Sequence, residues 1–294
     1  MENLISQSSQ NDSVTQHYDQ STKWNKELYI NNSHFFNRLL VRRKEYAFKL
    51  LDKVKPGLNG SVIDVGCGPG AYLEEFRRKG FDVYGIDISQ EMLNTCRARL
   101  NIDEITFQTH FKCGEIEKIP FQDSSFKVVA CIGVLGLLIS DEKAISEIYR
   151  ILEPDGILLL AVENMMSLSN IDFVIRKKIK SFFTRTKSQN KSSQSKNTKY
   201  NGLTISSNWF PNQLGLLYKI YNPNRLNQFL NDNGFKLLGS LTVGHEFRIL
   251  RRLKFFPKII DGMEIWLEKY FWNHRVPYLS SSGQFYITAF IKKS

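Results

Sequence analysis

The stretch Asp64-Val65-Gly66-Cys67-Gly68-Pro69-Gly70 places an acid and three glycines at alternate positions. That pattern suits a strand-to-helix turn that a ligand must approach closely, where a Cβ would oppose the φ values required. It points to a nucleotide-type site and leaves the nucleotide open. Gly66-Cys67-Gly68-Pro69-Gly70-Ala71 also satisfies the dinucleotide pattern G-x-G-x-x-A, and Asp87, 21 positions after Gly66, suits a ribose diol in either case. Metal and disulfide chemistry find little support. The four cysteines (Cys67, Cys96, Cys113, Cys131) form no C-x-x-C and have no histidine at ligand spacing, which fits a reducing compartment. Cys67 and Cys131 read as small packing residues, with no base to activate them.

The elements that must hold this turn follow from periodicity. Phe36, Leu39, Leu40, Ala47, Leu50, Leu51 and Val54 repeat at helical spacing, and Pro56-Gly57 ends that helix. Strands are expected over 61–65, 81–86, 105–112, 126–132 and 157–162. Helices are expected over 71–79, from the cap Ser89 to Leu100, and over 140–152. Alternation of this kind implies a parallel sheet covered on both faces, with its ligand crevice beyond the carboxyl ends of the strands. After Asn164 the rhythm breaks into an insertion over 165–215. A helix over 224–233, a strand over 235–243, a second amphipathic stretch over 246–273 and a strand over 284–291 follow.

Four segments in order resemble the class I S-adenosylmethionine (SAM)-dependent methyltransferase family, of the small-molecule, type 11-like kind. Asp64–Gly70 matches its D-x-G-x-G-x-G. Val83-Tyr84-Gly85-Ile86-Asp87-Ile88-Ser89, with Met92 beyond, is similar to its second motif. Gly114–Phe121 with Asp123, Ser125 and Phe126 resembles the stretch before its fourth strand, and Arg150–Gly156 the turn before its fifth. The likeness covers 61–164 well and 223–243 loosely. It implies a Rossmann-like, doubly wound α/β sheet of seven strands, mostly parallel with an antiparallel last strand, plus a helical lid insertion. It also implies SAM as cofactor. Asp64, Gly66, Cys67, Gly68 and Gly70 would surround the methionine end, and Asp87 would take the ribose. Ile88 and Ile116 would wall the adenine, with Glu115 where the family commonly has Asp, and Cys131 and Ile132 would flank the methionine portion.

The acceptor side is less defined. Many relatives have Glu-His after the fourth strand; this chain has Gly136-Leu137 there, so a base at that position is missing. His17, Tyr18, Glu163, Asn164 and His245 are the candidates at the crevice rim. No acidic pair suggests a catalytic metal. The fourth strand ends in Cys131-Ile132-Gly133-Val134, not in a motif for gripping a flipped base, so nucleic acid is not the expected substrate.

The net charge of +11 sits in two segments. Residues 171–200 hold nine Lys and Arg against Asp172 alone, and 246–294 hold nine against four acids. Apolar residues at helical spacing run through 171–185 and 249–272, a composition suited to a lid over the pocket and to an anionic membrane surface. The first 16 residues are polar, carry no leader pattern and are expected to be unstructured ahead of one domain over 17–294. The longest uncharged apolar run, Val128–Ser140, is too short to span a bilayer. The expectation is a cytoplasmic enzyme, touching the inner membrane face through those segments, that methylates an oxygen of a small-molecule or lipid-linked acceptor. Two alternatives stay open: an RNA methyltransferase or RNA-binding module, and a non-catalytic partner protein of the same fold.

Overall fold

Apolar, β-branched runs such as Ser-Val-Ile-Asp-Val and Phe-Lys-Val-Val-Ala-Cys-Ile bury residues on both faces, as central parallel strands do. A computed structural model of the chain describes residues 6–20, 35–167, 199–200, 203–205, 218–245, 262–263, 266, 270 and 282–293. In chain order these form α1 (Gln7–Gln20), α2 (Phe35–Val54), β1 (Ser61–Val65), α3 (Ala71–Arg78), β2 (Asp82–Asp87), α4 (Gln90–Leu100), α5 (Glu104–His110) and β3 (Phe111–Cys113). Then come β4 (Phe126–Ile132), α6 (Glu142–Ile151), β5 (Leu152–Glu163), β6 (Lys199–Tyr200), β7 (Leu203–Ile205), β8 (Lys219–Ile220), α7 (Pro223–Asp232), β9 (Phe235–Val243) and β10 (Phe285–Lys292).

Seven strands lie in the order β3-β2-β1-β4-β5-β10-β9. Pairs among β1 to β5 are parallel, and β10 runs antiparallel to both β5 and β9. The chain leaves β1 toward β2 and β3, then returns to its other side with β4. The crevice therefore opens beyond the ends of β1 and β4, at the switch point. Side chains alternate across the sheet. Val62, Ala130, Ile132, Leu159 and Ala161 pack with α2, α3 and α4, while Ile63, Val129, Cys131, Leu158 and Leu160 pack with α6 and α7. Pairs of β6, β7 and β8 make a small separate sheet within and just after the expected insertion.

Ser89 caps α4 as expected, its hydroxyl accepting from Met92 N at 3.1 Å. Arg150 anchors the stretch before β4: it donates to the Phe121 and Ile119 carbonyls, each at 2.8 Å, and pairs with Glu147 and Asp123. Two expectations fail. Residues 105–112 are not one strand: α5 occupies Glu104–His110 and only Phe111–Cys113 is extended. Asp103 decides this as an N-cap, accepting from both Thr106 N and Thr106 Oγ1, which outweighs the local alternation of Ile105 and Phe107. Nor are residues 1–16 unstructured throughout, since 7–20 form α1. Polar ties hold it instead of an apolar stripe. Gln10 Nε2 donates to Leu137 O, Asn11 Nδ2 to Glu115 Oε1, and Ile139 N to Gln7 Oε1, while Asp19 accepts from Ser89 Oγ.

The basic stretch 171–185 and most of 246–273 lie outside the described residues, and with them the expected helical lid. Of the latter stretch Met263, Trp266 and Tyr270 are helical and exposed, the two rings stacked 5.4 Å apart. Among the described residues no helix is long and apolar enough to cross a membrane.

Candidate functional site

Beyond β1 the chain folds back on the end of β2: Gly66 N and Cys67 N both donate to Ile86 O, at 2.7 and 3.0 Å. Two glycines are required for different reasons. Gly66 has φ 74°, and a Cβ there would lie 2.2 Å from Val134 Cγ2, inside the loop that follows β4. Gly68 has φ 50° and nothing within 4 Å of where its Cβ would stand, so it leaves room for a ligand. Gly70 serves packing against Cys96 and does not line the cavity.

Asp87 closes the end of β2. Its Oδ2 accepts from Gly68 N at 2.7 Å and its Oδ1 from Ser89 N at 2.9 Å, which fixes the carboxylate and leaves lone pairs for further donors. Burial pushes its pKa up to about 6 against the pull of those N–H donors. Asp64 is 2% exposed, and its Oδ1 has no hydrogen-bond partner. Burial holds this carboxyl well above the ordinary range; Asp87 adds to the effect and Arg43 opposes it. A buried acceptor without a donor is costly, and a bound cation would satisfy it.

A cavity of about 230 Å³ runs from this loop across the ends of β4 and β5. Of the expected cofactor residues, Asp64, Gly66, Cys67, Gly68, Asp87, Ile88, Glu115, Ile116 and Ile132 line it. Cys131 does not, because strand alternation turns it into the core on the opposite face from Ile132. The Cys67 thiol is raised well above its usual range, first by its bond to Cys96 and then by burial, and Cys131 is raised by burial, so neither is a ready nucleophile.

Of the acceptor candidates, His17, Tyr18 and Glu163 line the cavity. Asn164 serves the fold: its Nδ2 donates to Gly283 O at 2.7 Å and its Oδ1 accepts from Met166 N. His245 follows edge strand β9, two strands beyond β5, where its Nε2 meets Thr242 Oγ1 at 3.3 Å. Arg43, Tyr72 and Tyr218 also line the cavity; Tyr72 reads in the sequence as a core residue, which its 4% exposure bears out, and Arg43 and Tyr218 are not among the expected site residues. Arg43 had a signal, since it falls inside the apolar stripe of α2, between Leu40 and Ala47. It is 8% exposed, donates from Nε to Tyr72 OH at 3.2 Å, and lies 4.7 Å over the Phe285 ring. Tyr218 donates to Glu163.

Residues 63–160, the strands and loops that build this cavity, match the methyltransferase domain family. The core of the chain is a class I SAM-dependent methyltransferase domain. SAM is its cofactor. The chain is 32% identical over 112 residues to a malonyl-[acyl-carrier protein] O-methyltransferase of Erwinia billingiae, covering 37% of this chain and 41% of that protein. It is also 32% identical over 123 residues to a sterol 24-C-methyltransferase of Gibberella zeae, covering 42% of this chain and 32% of the other. The chain thus spans less than half the length of these two relatives. Among solved structures, magnesium protoporphyrin IX methyltransferase from Synechocystis with bound SAH superposes with a TM-score of 0.57 at 15% identity, over 97% of this chain and 100% of that one, a likeness of fold.

The observed groups fit SAM in the methyltransferase domain. Asp64 has an unused buried oxygen for a cationic end, Gly68 leaves backbone space, Asp87 has free lone pairs, and Ile88 and Ile116 offer apolar walls. Glu115 has Asn11 on one oxygen. A trade-off follows. Asp64→Asn removes a buried carboxyl from the ligand-free protein and should raise its Tm by a few degrees, about 1 kcal/mol, while weakening SAM binding. Thermal unfolding with and without SAM checks both signs at once.

Proposed function

We propose that this protein transfers the methyl group of SAM to an oxygen of a small-molecule or lipid-linked acceptor by a single in-line displacement. The observation that carries this reading is the continuity of the cavity. The same cavity is lined by the loop of Asp64, Gly66 and Gly68 and by the apolar side chains of Phe36, Leu40, Leu137 and Phe285, of which Phe36, Leu40 and Phe285 pack together. SAM supplies an electrophilic methyl on a sulfonium. The protein's own part is to hold both reactants close and aligned and to keep water away. Asp87 would accept from the ribose hydroxyls, Asp64 would face the methionine ammonium, and α1 would roof the site through its ties to Glu115, Leu137, Ile139 and Ser89. The apolar lining, together with exposed Met263, Trp266 and Tyr270 beside a basic stretch of sequence, supports an acceptor drawn from an anionic lipid surface.

The test is to incubate the protein with methyl-labelled SAM and separated lipid and soluble extracts of the source cell. Base-stable label in the lipid fraction supports the reading as stated, and label in soluble small molecules narrows it to a free acceptor. Label in RNA alone would reject it in favour of a nucleic-acid enzyme.

A further inference from the structure

Polar groups from three parts of the chain line the same cavity. Glu163, the last residue of β5, is 5% exposed and lines the cavity. Its side chain leaves the same face of the sheet as Asp64 and Ile132, because Ala161, two residues earlier, packs on that face. Asp64 and Glu163 stand on strands separated only by β4; the register sets Asp64 level with Ala130 and Leu159, so Glu163 lies four residues further along β5, toward the open end of the crevice. Tyr218, just before β8, donates to the Glu163 carboxylate, and the Arg43 guanidinium of α2 acts on it electrostatically. His17 and Tyr18 reach the same cavity from α1, and Asp64 from β1.

Among the described residues the cavity lining is rich in acids, whereas the chain as a whole is basic. Asp64, Asp87, Glu115, Glu117 and Glu163 line it, and among the described residues Arg43 is the one Lys or Arg that does. That guanidinium already acts electrostatically on both Asp64 and Glu163 and stacks on Phe285. An acceptor carboxylate would be a further anion beside the buried acids Asp64, Asp87 and Glu163, which low-polarity surroundings penalise heavily. An uncharged acceptor brings no such cost, but an uncharged hydroxyl is a poor nucleophile until its proton is taken.

From this arrangement, and resting on the methyl-transfer reading above, we infer that Glu163 is the general base for an uncharged hydroxyl acceptor, with Tyr218 and Arg43 as its positioning residues. As the new oxygen–methyl bond forms, the methyl–sulfur bond breaks and its electron pair stays on sulfur, turning the sulfonium into a thioether. The hydroxyl proton passes to the Glu163 carboxylate, which returns it to solvent once the product leaves. This places a base at the end of β5, although Gly136-Leu137 supplies none after β4. Burial also pushes the Glu163 pKa up to about 7, against Arg43 and the Tyr218 bond, so the group can accept a proton at neutral pH and release it again.

The test uses the full chain with saturating SAM and three probe acceptors at neutral pH: p-cresol, un-ionised and weakly acidic; p-nitrophenol, whose un-ionised fraction can bind and gives up its proton far more readily; and benzoate, ionised throughout. Both phenols should be methylated and benzoate should not. Glu163→Gln should lower the rate with p-cresol by about 100-fold or more and the rate with p-nitrophenol by only a few-fold. The wild-type p-cresol rate should fall as pH drops through about 7, and the variant should lose that inflection. SAH affinity and Tm of the variant, measured alongside, report whether it folds; if it does not, Glu163→Asp and the wild-type pH profile carry the same comparison. Methyl transfer to benzoate alone, equal losses on both phenols, or no transfer to any probe while SAM binds would each overturn the assignment. Absence of SAM binding by the wild type would instead overturn the reading on which it rests.

Discussion

Asp87→Ala should weaken the binding of SAM, and of its demethylated product SAH, by about 100-fold or more. Each hydrogen bond to a charged acceptor contributes roughly 1.5–3 kcal/mol, and the ribose offers this carboxylate two hydroxyls. The same change removes the acceptor of Gly68 N, so the backbone around the open position loses its tie to β2. The pH dependence has a defined sign. The Asp87 pKa is raised to about 6 in the fold, so the native protein takes up a proton that the unfolded chain lacks between about pH 4 and 6. This group's contribution to ligand-free stability therefore declines as pH rises through that window. Ligand hydroxyls favour the carboxylate, so SAM affinity should be full at pH 8 and fall as pH drops through about 6. Calorimetry at pH 8 and pH 5 would show the loss in the wild type, and Asp87→Ala would be weak at both. Unchanged affinity in Asp87→Ala would sink the ribose assignment. Asp87→Asn, which keeps an acceptor for the Gly68 tie, separates ligand loss from loop collapse.

The parts of the site that the sequence made legible are those written in short contiguous patterns. β1, the glycine turn and the end of β2 are local, and their roles follow from backbone conformations that few residues permit. Ser89 could be read as a cap for the same reason, and β5 with Glu163 followed from an apolar run. Cys131 was misplaced although the remedy was also local: residues alternate across a strand, so Cys131 and Ile132 cannot both face the methionine portion. Arg43 was legible in principle as a charge inside an apolar helical stripe. Helix α1 and Tyr218 were not. α1 has little apolar periodicity, and its partners lie 104 to 132 residues away for Asn11 and Gln7. Tyr218 follows a segment whose composition gives no period. Long-range bonds between side chains and loops leave no mark in spacing, and the roof and floor of this cavity are built from them.

The second large effect concerns that roof. Lys219 and Asp141 form an ion pair with side chains 2% and 4% exposed, and Tyr221 OH reaches Asp141 Oδ1 at 3.0 Å and Leu135 O at 2.8 Å. The cluster pins the loop after β4, which contributes Leu137 and Leu138 to the cavity, to β8 and the residue after it. Burial raises the Asp141 carboxyl even though Lys219 and Tyr221 both pull it down, so the attraction does not fully offset desolvation. Lys219→Met should then cost about 3–5 kcal/mol, because it strands a buried carboxylate, and lower Tm by about 10 °C. Since the raised Asp141 pKa favours the protonated acid in the fold, this deficit should shrink as pH falls and grow as pH rises. Adding Asp141→Leu to Lys219→Met should recover most of the loss, as both charges are then gone and Tyr221 OH keeps the Leu135 carbonyl. Chemical denaturation of the two single variants and the double variant measures this coupling. A Lys219→Met cost below about 1 kcal/mol would mean that solvent reaches Asp141 and that the roof is not pinned there. A large cost with full recovery in the double variant, but with weaker SAH binding, would show that the pair holds the loop in register over the cofactor at a net expense in stability.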